Sequence, residues 1–177
     1  MRYIKRIVLH CTSGWGNQST QSIKDYWKKN LGWKSVGYHY IINQDGTYEK
    51  LSDISNVTNG VAGYNSDSIH ICYKGGLKEI TKAGKNIYGD TRTKAQKDAF
   101  NEVINLVLSE LKKTQEVDDI TIVGHRDLSK DLNNNGIIEE REYIKTCPTF
   151  NAMDMDEYGW IMGKKALERI KKGRKFY

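Results

Sequence analysis

The sequence contains few of the residues that stiffen or cross-link a chain, with one proline and three cysteines among 177 residues. A single proline against 16 glycines excludes collagen, proline-rich linkers and most low-complexity disorder. Three cysteines are an odd number, which argues against a disulfide framework. No stretch approaches 18 consecutive apolar residues, so the sequence predicts no membrane-spanning segment.

Length and composition are those of one globular domain. The chain has 38% hydrophobic and 28% charged residues, which is ordinary for a soluble protein with a single core. The N-terminal segment MRYIKRIVLHCTSGW is basic, but its apolar run IVL is too short for the core of a signal peptide. We therefore expect synthesis and folding in the cytoplasm.

Basic residues are concentrated near the C-terminus. Seven of the 28 basic residues and one of the 22 acidic residues lie in 163–177, which leaves 21 of each in 1–162. We divide the chain into a neutral domain, 1–162, and a basic helix end or tail, 163–177. A nucleic-acid-binding protein more often carries its basic residues across its working face, so we expect no nucleic-acid partner. The tail charges either complement a helix dipole or tether the protein weakly to an anionic surface.

Strand and helix patterns alternate along the chain, which predicts one mixed α/β domain. Strands are predicted at residues 3–10 and 68–74 and in DITIVGH, and GYHYIINQDGTYEKLS predicts a hairpin that turns at Asp45-Gly46. One helix is predicted at 19–31 with Ile23, Tyr26 and Trp27 facing the core. A second lies in TKAQKDAFNEVINLVLSELKK, where Thr93 and Gln96 form a capping box, and a last one begins near Met155.

Three side chains with metal-binding chemistry follow predicted strands or lie in loops. His10 and His125 each end a strand, and Cys147 precedes the only proline in KTCPTF. Two imidazoles and one thiolate suit a zinc ion that keeps one position open for water. The spacing does not decide the matter, because a single histidine is more often structural and a buried cysteine commonly packs as a small hydrophobe.

Five segments occur in the same order as in the type-2 N-acetylmuramoyl-L-alanine amidases, namely IVLHCTSG, LGWKSVGYHYIINQDGTYE, GYNSDSIHICYKGG, IVGHRDLS and IKTCPTF. This family includes short phage lysozymes of the amidase type and the animal peptidoglycan recognition proteins. The resemblance covers roughly residues 5–160 and implies a single α/β domain, in which helices flank a central mixed β-sheet. It matches His10, His125 and Cys147 to the zinc ligands, and Tyr38 and Lys145 to the catalytic pair.

The resemblance implies a zinc-dependent hydrolase that cleaves the amide bond between N-acetylmuramic acid and L-alanine in peptidoglycan. Zinc would lower the pKa of its bound water toward ~7. The Tyr38 hydroxyl would orient this water or move its proton, and the Lys145 ammonium would face the oxyanion. We expect a monomer that acts on the cell wall after release. The alternative is a non-catalytic peptidoglycan-binding or sensing protein, but the presence of Cys147, Tyr38 and Lys145 favours the hydrolase.

Two positions depart from the family pattern. His70 stands where the family usually has glycine, and Gly60 stands where relatives often carry a substrate-contacting histidine. We assign no role to His70 and expect Gly60 to affect substrate binding rather than zinc chemistry. Strand alternation predicts that Tyr38 and Tyr40 share one face, which leaves His39 half-buried on the other without a role in the site.

The segment DLNNNGIIEERE, residues 131–142, fits the calcium-loop template at every fixed position. The template assigns ligand positions to Asp131, Asn133, Asn135, Ile137 (through its carbonyl), Glu139 (through water) and Glu142 (bidentate). Calcium would stiffen the chain that leads to Lys145 and Cys147. The alternative is an exposed polar turn.

Overall fold

Strands and helices alternate within residues 2–172, which are the residues that the computed structural model describes. The strands are β1 (Arg6–Cys11), β2 (Tyr40–Ile42), β3 (Tyr48–Lys50), β4 (Ser68–Tyr73), β5 (Leu77–Ile80), β6 (Asn86–Tyr88) and β7 (Thr121–Gly124). The helices are α1 (Thr20–Lys29), α2 (Lys94–Leu111) and α3 (Lys164–Lys171). None of the helices in this part of the chain is long and apolar enough to cross a membrane.

Five strands form a mixed sheet in the order β3-β2-β4-β1-β7, which confirms the predicted fold class. Strand β1 is parallel to both β4 and β7, and β2 is parallel to β4. Strand β3 pairs antiparallel with β2 across the predicted turn at Asp45-Gly46. The short hairpin of β5 and β6 stands apart from this sheet, and the sequence patterns do not predict it.

The parallel pairing of β1 with β7 places their carboxyl ends at the same edge of the sheet. Leu9 pairs with Gly124, so the residues that follow them, His10 and His125, lie side by side. The hydrogen bonding between β1 and β7 extends one residue beyond β7, because the His125 amide donates a hydrogen bond to the Leu9 carbonyl (3.3 Å). This register brings two histidines together that are 115 positions apart in the sequence.

Helices cover both faces of the sheet, so the central strands are buried on both sides. Side chains of β1 alternate between the faces. On one face Ile7 and Leu9 belong to the main core, to which α2 contributes Phe100, Val103, Ile104 and Val107. On the other face Val8 belongs to a second cluster, and α1 packs Ile23 and Trp27 against Ile41 and Cys72.

Helix α2 follows the sequence prediction closely. The Thr93 hydroxyl accepts a hydrogen bond from the Gln96 amide (3.0 Å), and the Gln96 side-chain oxygen accepts one from the Thr93 amide (3.1 Å), which completes the predicted capping box. The Gln96 side-chain nitrogen also donates to the Lys74 carbonyl (3.0 Å). The N-terminus of α2 is thereby fixed to the chain that leaves β4.

The predicted strand face of Tyr38 is wrong. Strand β2 begins only at Tyr40, so residues 38 and 39 precede it and do not follow its alternation. Tyr38 packs with Ile41 on the α1 face, whereas Tyr40 belongs to the main core on the other face.

Two predicted helices are also shorter than expected. Helix α1 spans Thr20–Lys29, whereas the sequence predicts a helix at 19–31. It buries Ile23 and Trp27 as expected but leaves Tyr26 54% exposed. Helix α3 begins at Lys164 and not near Met155, since Gly159 and Gly163 fall in the predicted span and each glycine inside a helix costs about 1 kcal/mol relative to alanine. Residues 173–177 of the proposed basic tail lie outside the described residues.

The position of Phe100 predicts a large effect of truncation on stability. Its side chain is fully buried and contacts the rings of Tyr73 and Phe150 at centroid distances of 6.1 and 5.7 Å. We expect Phe100→Ala to lower the free energy of unfolding by about 3–5 kcal/mol, because a cavity is added to the lost burial. Leu106→Ala on the exposed side of the same helix should change it by no more than about 0.5 kcal/mol. Urea unfolding measures both, and equal effects would contradict the described core.

Candidate active site

Three elements bring His10, His125 and Cys147 together at the carboxyl edge of the sheet. His10 lies in β1, His125 directly follows β7, and Cys147 comes from the loop before Pro148. Their ligand atoms all lie within 4.8 Å of one another. No other group of three or more histidine, cysteine, aspartate or glutamate side chains converges in this way among residues 2–172.

Backbone contacts hold the Cys147 loop against the sheet edge. The Arg126 amide donates to the Cys147 carbonyl (2.9 Å), and the Cys11 amide donates to Cys147 Sγ (3.3 Å). Close packing requires a glycine at position 124, because a Cβ there would lie 2.6 Å from the Pro148 ring. The glycine in TIVGH therefore admits the loop that carries the cysteine.

One distance within this cluster equals that expected between two ligands of a tetrahedral zinc ion. The His10 Nδ1 atom lies 3.6 Å from Cys147 Sγ. Two ligands of one tetrahedral zinc, with bonds of about 2.0 Å to nitrogen and about 2.3 Å to sulfur, are separated by about 3.6 Å. Two imidazoles and one thiol, all buried, also form a donor set that binds zinc in preference to harder metal ions.

The environment of the cluster favours neutral imidazoles. Burial, together with the nearby His125, lowers the pKa of His10 well below its usual value of 6.5. Burial and the charge of Lys145 lower the pKa of His125 to about 4. Neutral imidazole is the form that binds a metal. Burial raises the pKa of the Cys147 thiol, so the thiolate needs a bound cation to form near neutral pH.

A groove of about 620 Å³ opens above the cluster. Its lining combines two residues of the cluster, His125 and Cys147, with aromatic and polar side chains that include Lys145, Tyr38, Tyr26, Trp27, Trp33 and Asn59. Trp27 and Trp33 are stacked with ring centroids 6.2 Å apart. An open groove with an aromatic wall and a few polar groups suits an extended amphipathic substrate.

Tyr38 and Lys145, the predicted catalytic pair, both line this groove. The Tyr38 ring lies 5.0 Å from the His10 ring, and burial raises the pKa of its hydroxyl well above 10. This phenol therefore keeps its proton near neutral pH and can donate or accept a hydrogen bond. The Lys145 side chain is exposed, two residues before Cys147.

The remaining two histidines, His39 and His70, are both fully buried. His39, expected to be half-buried, is fully buried, and its Nδ1 accepts a hydrogen bond from the His70 amide (3.0 Å). His70, to which the sequence assigned no role, is fully buried beside the cluster with its Nδ1 3.0 Å from His10 Nε2. Pattern alone does not reveal this contact, because it depends on the register between β1 and β4.

The calcium-loop segment uses its side-chain oxygens to bind its own backbone. Asp131, Asn133 and Asn135 each accept a hydrogen bond from an amide further along the loop, at 2.8–2.9 Å. The Glu142 carboxylate accepts from three amides, including that of Glu139 at 2.9 Å. Asp131, Glu139 and Glu142 do not form a converging metal-ligand group, and Ile137 is exposed. Calcium binding stays a prediction without structural support.

Known proteins resemble this chain in both sequence and fold. The family model described as N-acetylmuramoyl-L-alanine amidase matches residues 1–149. The endolysin of Enterobacteria phage K11 is 31% identical over 148 residues, which covers 82% of this chain and 81% of that protein. The endolysin of Enterobacteria phage T3 is 33% identical over 147 residues, which covers 82% and 80%.

Solved structures share the fold at lower sequence identity. Drosophila PGRP-LB superposes with a TM-score of 0.64 at 16% identity, covering 93% of this chain and 85% of that one. The endolysin of Thermus scotoductus bacteriophage Ph2119 gives a TM-score of 0.58 at 22% identity, covering 93% and 88%. The match of the family model to most of the chain, together with the phage endolysins, shows that this protein belongs to the type-2 N-acetylmuramoyl-L-alanine amidase family.

Proposed function

We propose that this amidase is a zinc enzyme that hydrolyses the bond between the lactyl group of N-acetylmuramic acid and the L-alanine of the peptidoglycan stem peptide. The convergence of His10, His125 and Cys147 beneath an open groove carries this proposal. Family membership supports the amidase activity, and the donor set supports zinc as the metal. The enzyme acts as a monomer on the cell wall, after synthesis in the cytoplasm and release.

The three ligands divide into two neutral imidazoles and one thiolate. When bound, zinc supplies a hydroxide near neutral pH by lowering the pKa of its water to about 7. His125 and Cys147 line the groove, so the site is reached from the side on which substrate enters. His10 lies beneath them and is only 1% exposed, which shields its ring from water.

Tyr38 and Lys145 act on the substrate side of the site. The Tyr38 hydroxyl holds the attacking water by a hydrogen bond and passes a proton of that water toward the leaving amine. The Lys145 ammonium faces the oxyanion that forms when the amide carbonyl is attacked. One well-placed donor of this kind contributes about 3–4 kcal/mol to the stability of the transition state. The exposed position of Lys145 on the groove wall leaves it free to reach the substrate.

The products of wall digestion test the bond that is cut. Purified peptidoglycan treated with the zinc-loaded enzyme should release free stem peptides and leave glycan strands intact, as seen by mass spectrometry. New reducing-end sugars would contradict the assignment, since they are made by glycosidases. Binding to the wall without any released peptide would instead favour the non-catalytic sensing alternative.

The role of Cys147 predicts the loss of zinc together with activity. We expect Cys147→Ala to abolish wall lysis and most bound zinc while the protein stays folded, because one of three ligands is removed. Zinc content after dialysis and circular dichroism measure the two effects. Cys72→Ala, which changes another buried cysteine outside the ligand group, is the control and should retain zinc. A Cys147→Ala protein that lyses walls normally would contradict the proposed site.

Substitutions of Tyr38 and Lys145 should lower catalysis without affecting metal binding. We expect Tyr38→Phe and Lys145→Ala each to lower kcat by roughly 10²–10³ while zinc content is unchanged, because both groups act on the reacting atoms only. Lys130→Ala, an exposed lysine outside the groove lining, should have normal kcat. Loss of zinc in either groove variant would show that the residue supports the metal rather than the reaction.

A further inference from the structure

His70 lies in β4, where its side chain reaches the cluster of His10, His125 and Cys147 without lining the groove. Its side chain is fully buried, and its Nδ1 lies 3.0 Å from His10 Nε2. The opposite nitrogen of the His10 ring, Nδ1, is the one that lies 3.6 Å from Cys147 Sγ. The His10 ring therefore lies between the cluster on one side and His70 on the other.

A metal bound at His10 Nδ1 would determine which nitrogen of each ring carries a hydrogen. A metal binds the unprotonated nitrogen of a neutral imidazole, so a ligating His10 Nδ1 leaves the hydrogen on Nε2. That N–H then donates to His70 Nδ1, and His70 carries its own hydrogen on Nε2. Metal-ligating histidines are usually oriented by such a partner on the second nitrogen. A carboxylate or carbonyl commonly has this role, and here an imidazole takes it.

We propose that His70 is a positioning residue that orients His10 for zinc, and that glycine at position 60 provides the space for it. The inference rests on the zinc function proposed above. Hydrogen bonding to Nε2 prevents rotation of the His10 ring and keeps Nδ1 directed at Cys147. Without His70, the His10 ring would lose its fixed orientation and its tautomer.

Gly60 lies directly above the His70 ring. A Cβ on Gly60 would be 2.2 Å from His70 Nδ1 and 2.3 Å from its Cγ, so no other residue fits unless the imidazole moves. Gly60 is not among the glycines with positive φ, which means that space, and not backbone conformation, requires glycine there. The two departures from the family pattern, at positions 60 and 70, thus meet at a single place in the structure.

His70 is itself held in place by His39. The His70 amide donates to His39 Nδ1 (3.0 Å), and the two rings are nearly parallel with centroids 5.9 Å apart. His39 Nε2 lies 3.1 Å from the Asn56 carbonyl. Within residues 2–172, His70 Nε2 has no hydrogen-bond partner. Among these residues, the contact with His10 is therefore the one hydrogen bond that the His70 ring makes.

Zinc affinity tests the proposal independently of turnover. In competition with a chromophoric chelator, His70→Leu should bind zinc about 10–100-fold more weakly than the wild type. His70→Asn should recover most of this loss, because the amide oxygen of asparagine takes the place of Nδ1 as acceptor. Cys72→Ala, a neighbour on β4 that lies outside the ligand group, should bind zinc as the wild type does.

The spectrum of the cobalt-substituted protein gives a second readout. The visible bands of bound Co²⁺ should change in His70→Leu and return in His70→Asn, because they report ligand geometry. Should His70→Leu fail to fold, Gly60→Ala provides the test, since the added methyl displaces the His70 ring and should weaken zinc in the same way.

Failure of the positioning role is distinguishable from failure of the proposed function. Wild-type protein that neither binds zinc nor releases stem peptides would contradict the zinc function itself. Normal zinc affinity and an unchanged cobalt spectrum in His70→Leu, with an active wild type, would overturn the role of His70 alone. Equal weakening in the Leu and Asn variants would also overturn it, because packing rather than the hydrogen bond would then be responsible.

Discussion

The pairing of β1 with β7 is the constraint on which the site depends. Because the strands are parallel and Leu9 pairs with Gly124, the next residue of each strand is a histidine at the same sheet edge. A slip of one residue would turn one of these side chains to the other face. The loop that carries Cys147 is held at the same edge by a hydrogen bond from the Arg126 amide, so backbone hydrogen bonds position all three side chains of the cluster.

Burial gives the cluster its chemistry. His10 and Cys147 are almost fully enclosed, and the cost of charging them in that environment keeps both neutral without a cation. In the proposed zinc site, the bound cation would favour the thiolate and leave the imidazoles neutral. The same burial prevents water from competing for His10 Nε2, which strengthens its bond to His70. The same packed region therefore stabilises the fold and keeps His10 and Cys147 neutral.

The sequence predicted the features that depend on local pattern or on family resemblance. The capping box of α2, the turn at Asp45-Gly46 and the mixed sheet are all confirmed. Features that depend on the register between distant segments were not predictable. The contact of His70 with His10 joins residues 60 positions apart, and no periodicity within β4 indicates it.

The alternation of side chains between the two faces does not extend beyond the end of a strand. Tyr38 lies two residues before β2, where the backbone no longer alternates, so its predicted face is wrong. Its side chain nevertheless lines the groove. The β5–β6 hairpin is short and largely exposed, and it therefore lacks the apolar alternation by which strands are detected.

Anomalous diffraction at the zinc edge from crystals of the zinc-loaded protein tests the central claim most directly. The account predicts one strong peak at bonding distance from His10 Nδ1, His125 and Cys147 Sγ, with the His10 Nε2 still hydrogen-bonded to His70. A peak at any other group of side chains, or a His10 ring turned so that Nε2 binds the ion, would contradict it.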